Sequence, residues 1–121
     1  MNIFYLDKDP QQAAQYHCDK HVVKMILESA QILCTVVNEA AGEQVTPYKS
    51  THKNHPCTLW AGRSIANAKW LWELTKYLNE EYRYRFNHDK DHKSWAMLKE
   101  TDIFAELRRS NSMSEEAMRK G

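Results

Sequence analysis

His17, Lys20, His21, Lys24 and Glu28 follow one another at three- and four-residue steps, a spacing that stacks side chains on one face of a helix. Two imidazoles beside two ammonium groups depress one another's pKa values. Such a stripe can hold a neutral histidine or a lysine ready for proton transfer or imine chemistry near neutral pH. It also suits phosphate binding. The plainer reading is a solvated helix face on which Lys24 and Glu28 pair across one turn, for a few tenths of a kcal/mol.

Asp19 stands apart from this stripe. At about 100° per residue it projects into the apolar arc formed by Val22, Met25, Ile26, Ala30, Leu33, Val36, Val37 and Ala40. A carboxylate there needs a partner: either backbone amides or a hydroxyl of the N-terminal segment, or a role as acid, base or orienter of a neighbouring cation. A second cluster, Tyr48, Lys49, His52, Lys53 and His55, falls where Pro47, Ser50, Thr51 and Asn54 interrupt helical periodicity, so it belongs to a loop. The histidines form three pairs, His17 with His21, His52 with His55 and His88 with His92. Pairs at this spacing can chelate a metal, but no H-E-x-x-H or cysteine pair accompanies them. The expected metal set is none, and no cofactor is expected. Gly-rich phosphate loops and a G-x-S-x-G elbow are absent as well.

The elements that must position these residues are helical. Asp9-Pro10-Gln11-Gln12 reads as a helix start, with Asp9 as cap, Pro10 in the first position and Gln12 reaching back. No breaker follows until Gly42, which predicts one helix from about residue 10 to 41. Pro56 opens the next helical segment. Ser64 caps or continues into a long helix carrying Ile65, Ala68, Leu71, Leu74, Leu78 and Tyr82, ending near Asn87. Asp89 to Lys93 is a polar linker before short packing helices, and Ile3 to Leu6 is extended. The fold class is therefore all-α: a compact single domain over residues 1–109, with the long first helix antiparallel to a second long one. A polar tail over 110–121 follows. Val22, Ile26, Leu33 and Val37 should bury against Leu71, Leu74 and Leu78. Trp60 and Tyr82 join that interior, whereas Tyr48 and the loop cations face a ligand.

A chain of 121 residues can bury a core without staples. Its three cysteines, Cys18, Cys34 and Cys57, make no disulfide pattern and fit a reducing cytoplasm. No signal peptide or membrane span is visible. The net charge of +1 means that nucleic-acid binding must come from a local patch.

The block Tyr5-Leu6-Asp7-x-Asp9-Pro10, His17-x-Asp19-Lys20-His21-Val22-Val23-Lys24-Met25-Ile26-x-Glu28, with Thr51-His52-x-Asn54-His55-Pro56, Trp60, Asn67 and Glu81-Tyr82-x-x-Arg85, resembles a family of small, largely uncharacterised phage proteins. More distantly, the chain is similar to the endonuclease V-like pyrimidine-dimer DNA glycosylases. In those compact helical enzymes the N-terminal α-amine reaches the catalytic site, and the first long helix carries Arg-Glu-x-x-Arg. Lys20-His21-x-x-Lys24 stands in that place here. His21 replaces the catalytic glutamate, Asn2 replaces the small second residue that permits removal of Met1, and the aromatic C-terminal run is missing.

The resemblance implies a DNA-processing enzyme, an N-glycosylase and AP lyase acting on damaged or modified bases in double-stranded DNA. Its catalytic residues would be His21, Asp19, His17 and Asn2, and its DNA-binding residues Lys20, Lys24, Tyr48, Lys49, His52, Lys53 and His55. Two other readings stand beside it: a non-catalytic phage module binding nucleic acid or a host protein, and a metal-dependent hydrolase using the paired histidines. His17, Lys20, His21 and Lys24 should share one accessible surface with His52 or His55 of the returning loop, with Asp19 buried beneath and bonded to the N-terminal segment.

Overall fold

The structure is a computed structural model, described here for residues 5–110, and 70% of the described residues are helical, with no strand among them. The helices are α1 (Pro10–Tyr16), α2 (Asp19–Ala41), α3 (Pro56–Gly62), α4 (Ile65–Arg85) and α5 (Lys93–Glu100), followed by α6 over residues 103–110. The starts of α1, α3 and α4 carry a local signal, whereas Cys18 at the start of α2 makes no side-chain cap bond. Asp9 accepts from the Gln11 amide ahead of Pro10, His55 accepts from the Cys57 amide around Pro56, and Ser64 accepts from the Asn67 amide. The Asp9 amide donates to Asp7 at 2.9 Å, so Asp7 takes the back-bonding place expected of Gln12. Gly42 ends α2 in the left-handed region at φ 76°, where a side chain would be strained.

The helix expected to run unbroken from residue 10 to 41 is two helices. His17 and Cys18 are both extended, with ψ of 139° and 160°, and the chain turns between Tyr16 and Asp19. No proline or glycine causes this. The break persists because the carbonyls it frees find a partner elsewhere: Arg85 at the end of α4 donates to Gln15 O at 2.9 Å and to His17 O at 2.6 Å.

α2 and α4 form the central pair, antiparallel, since Asp19 meets Arg85 at one end while Gly62, just before α4, faces Val36 at the other. Val22, Ile26, Leu33, Val37, Leu71, Leu74 and Leu78 are buried together in one core, as their periodicity predicts. α1 lies against α4 through Ala13 and Ala14, both fully buried, whose small side chains allow close approach. Along α2 every residue from Ile32 to Asn38 is buried, because α3, α4 and the loop over residues 43–55 surround that half. The segment from Asp89 to Lys93 is tied down. Asp91 accepts from Asn79, Arg83 and Lys99, and the His92 amide donates to Asn79 Oδ1. The Asp91 carboxyl is held below the usual carboxylate range by its hydrogen bonds to Lys99 and Asn79, with burial opposing. Trp72 packs against Trp95 and Phe104 to seat α5 and α6. Trp60 and Tyr82 are partly buried against the core.

Candidate nucleic-acid interface and active site

The first two turns of α2 present Lys20 and Lys24 to solvent, with His21 half-buried between them. Val23 and Leu27 are also exposed on these turns, at 36% and 40%, so the surface is apolar as well as basic. His17 is not part of it. The break at Cys18 turns His17 inward to 3% exposure, where Nδ1 lies 2.6 Å from Ala13 O. Only a protonated nitrogen fits a carbonyl oxygen, which assigns the neutral ring's proton to Nδ1. Burial pushes the His17 pKa below 6.5; the Ala13 hydrogen bond opposes the shift, and His21 and Arg85 add to it.

Asp19 also departs from expectation. Its side chain is 72% exposed, and its side-chain partner among the described residues is Arg85 Nη1 at 3.1 Å. The helical projection ignores where the partner helix stops. α4 ends level with Asp19, so no apolar surface covers that position. Residues 1–4, which include Asn2 and the start of the expected extended segment, lie outside the described residues, as does the tail from 111 onward. The described start of the chain is pinned to α4: the Tyr5 ring packs on Trp70 at 4.7 Å and Trp70 Nε1 donates to Lys8 O.

The loop does return to the face of α2 that carries the stripe, but at its far end. Thr35 Oγ1 bonds both the carbonyl and the amide of Thr51, and Asn38 holds Val45, Thr46 and Tyr48. Thr35 stands 15 positions after Lys20, about 22 Å along the helix. The loop cations and the stripe are therefore separate patches. Within the loop, Lys49 is exposed, and exposed Lys53 approaches Glu39 at 3.9 Å. His52 is exposed with a positive φ of 49°. His55 is engaged as the α3 cap, and the half-buried Tyr48 turns its hydroxyl to Ser94 Oγ at 3.1 Å.

Sequence reasoning noted Glu81 and Arg85 only as part of the family resemblance, without a role, and did not single out Thr35 and Asn38. The first pair announces itself as an i,i+4 glutamate–arginine step; the second pair appears as polar residues inside an apolar run. The histidine pairs form no metal centre of three or more ligands among the described residues. His88 and His92 instead flank the Tyr82 ring, at 4.6 and 5.2 Å.

Buried His17 and half-buried His92 set a pH response. His92, whose Nδ1 accepts from the Ser94 amide, is also shifted below 6.5 by burial. Between these lowered values and 6.5 the unfolded chain binds more protons than the folded one, so stability rises with pH across that window. It is fully present above about 6.5 and declines as pH falls below it. Thermal melts should therefore give a lower Tm at about pH 5.5 than at about pH 7.5, with a shallower slope in His17→Gln. A flat profile would show that neither ring is buried neutral. Asp91 contributes only at pH values nearer its 3.8 reference.

Among the described residues no helix is long and apolar enough to cross a membrane. No curated protein and no solved structure matches the chain. The family model for pyrimidine dimer DNA glycosylase matches residues 1–94, a span that takes in the α1–α2 break, the Lys20–Lys24 turns, the basic loop and Arg85. The chain belongs to the pyrimidine dimer DNA glycosylase family.

Proposed function

We propose that this protein is a DNA N-glycosylase with AP lyase activity, acting on damaged or modified bases in duplex DNA. The family match over residues 1–94 is the observation that carries this reading. Exposed Lys20 and Lys24 are assigned to phosphates, with Lys49 and Lys53 on a second contact patch. An amine attacks C1′ of the damaged nucleotide as the glycosidic bond breaks, and the base leaves with the bonding electrons and takes up a proton. The C1′–O4′ bond then opens to give the imine, loss of a C2′ proton expels the 3′-phosphate, and water hydrolyses the imine to release the amine. His21 is the proton-transfer group on the accessible turn. His17 supports it from beneath, and Asp19 acts on the cation Arg85.

The amine is the N-terminus, Lys20 or Lys24.

Borohydride reduction in the presence of a dimer-containing or abasic duplex tests the reading. A covalent adduct is expected, and peptide mapping identifies its amine. The double variant Lys20→Ala/Lys24→Ala should bind duplex more weakly on every sequence, with a salt slope reduced by about one to two. Absence of any adduct with intact duplex binding would favour the second reading, a non-catalytic binding module, for which exposed Val23 and Leu27 beside the lysines are the supporting observation.

A further inference from the structure

Arg85 makes more polar contacts across separate elements than any of the residues assigned above. Its Nε donates to Glu81 Oε1 at 3.0 Å, and Nη2 lies 2.9 Å from the same oxygen. Nη1 donates to His17 O at 2.6 Å and to Asp19 Oδ1 at 3.1 Å, and Nη2 donates to Gln15 O at 2.9 Å. The side chain is only 18% exposed. All three nitrogens are thus spent on the protein, and two carboxylates surround one guanidinium. Such a group is poorly placed to bind a phosphate, because any new acceptor would have to displace a bond already made.

What it does reach is the backbone of Gln15 and His17 and the side chain of Asp19. The two carbonyls belong to the last turn of α1 and to the break itself, and Asp19 is the first residue of α2. We propose that Arg85 is a positioning residue: it fixes the α1–α2 break and thereby the direction in which the first turns of α2 present Lys20, His21 and Lys24 to DNA. Glu81 orients the guanidinium from one turn below on α4. Asp19 closes it from the solvent side, which gives that exposed carboxylate a role in geometry instead of proton transfer. A lysine cannot replace this arginine, since one ammonium cannot span two carbonyls and two carboxylates in a planar fork. This proposal rests on the DNA-binding reading for its functional consequence, but not for its structural one.

The test is a double-mutant cycle on duplex affinity, paired with amide exchange. Lys20→Ala alone should weaken binding about five- to tenfold at low salt, as for one lost phosphate contact. In an Arg85→Lys background the same change should cost less than about twofold, because a turn no longer held in place cannot deliver Lys20. Lys69→Ala, on the exposed surface of α4, should be additive with Arg85→Lys. Exchange of the His21 and Val22 amides, both bonded to Cys18 O, should quicken at least about tenfold in Arg85→Lys while the Leu74 and Leu78 amides stay unchanged.

Glu81→Gln keeps the fork and removes only its orienting charge, so it serves where Arg85→Lys does not fold and should show the same pattern in weaker form. Additive effects of Lys20 and Arg85, or unchanged exchange at the break, would overturn the proposal. A wild-type chain that binds no duplex would instead defeat the proposed function, and the exchange measurement would still decide whether Arg85 holds the break.

Discussion

Leu74→Ala is expected to destabilise the protein by about 2 to 5 kcal/mol, read as a Tm lowered by roughly 10 °C or more. Leu74 is fully buried on α4 between Leu71 and Leu78, which are fully buried too, and faces the Val22, Ile26, Leu33 and Val37 stripe of α2. Truncation removes three carbons from contact on every side. The hole cannot collapse easily, because α1 presses on α4 through Ala13 and Ala14, side chains too short to follow. Tyr84→Ala on the same helix is the comparison, since that ring is 85% exposed and its loss should stay within about 0.5 kcal/mol. Similar losses in both variants would mean that the α2–α4 seam is not where the core energy lies.

Features set by neighbours in the chain were legible from the residues. Asp9 with Pro10, Gly42, Pro56 and Ser64 each act within one turn, and each marks the boundary its chemistry implies. The pairing of the Leu71–Leu78 stripe with the Val22–Val37 stripe was legible too, because two strong apolar faces in one small chain have little else to cover. The break at His17 was not. Its local sequence is compatible with helix, and what stabilises the extended pair His17–Cys18 is an arginine nearly seventy positions later. Once the break is missed, His17 is assigned to an accessible stripe although it turns into the protein; the stripe is joined to the loop cations for a separate reason, since the sequence does not show that the loop is tied to Thr35 and Asn38 at the far end of α2. Asp19 failed for another reason. Angular position on a helix says which way a side chain points, not whether a partner extends that far. Lys20 and Lys24 are exposed, since their positions on α2 fall on the side away from the Val22–Val37 stripe.

Asn38→Ala should be the most costly polar substitution, destabilising by about 2 to 4 kcal/mol, because this one side chain organises the loop that carries Lys49 and Lys53. Asn38 is 3% exposed, and its Oδ1 accepts from the Val45 amide at 2.9 Å and the Thr46 amide at 3.1 Å while Nδ2 donates to Tyr48 O at 2.8 Å. The alanine variant leaves these three backbone groups without that partner. Tyr48 O keeps a second donor in Thr46 Oγ1, so the cost falls mainly on the two amides, each worth about 1 to 3 kcal/mol if left dry and less where water enters. Thr35 continues to hold Thr51, so the loop should loosen at its first half and not its second. Hydrogen exchange reads that asymmetry directly: the Val45 and Thr46 amides should exchange far faster in Asn38→Ala, and the Thr51 amide little changed. If the loop's position matters for DNA, the variant should also lose the contribution of Lys53→Ala to duplex affinity while retaining that of Lys20→Ala, since the two patches stand on opposite ends of α2. A stability change within about 0.5 kcal/mol, or uniform exchange across the loop, would show that the loop is held by something other than Asn38.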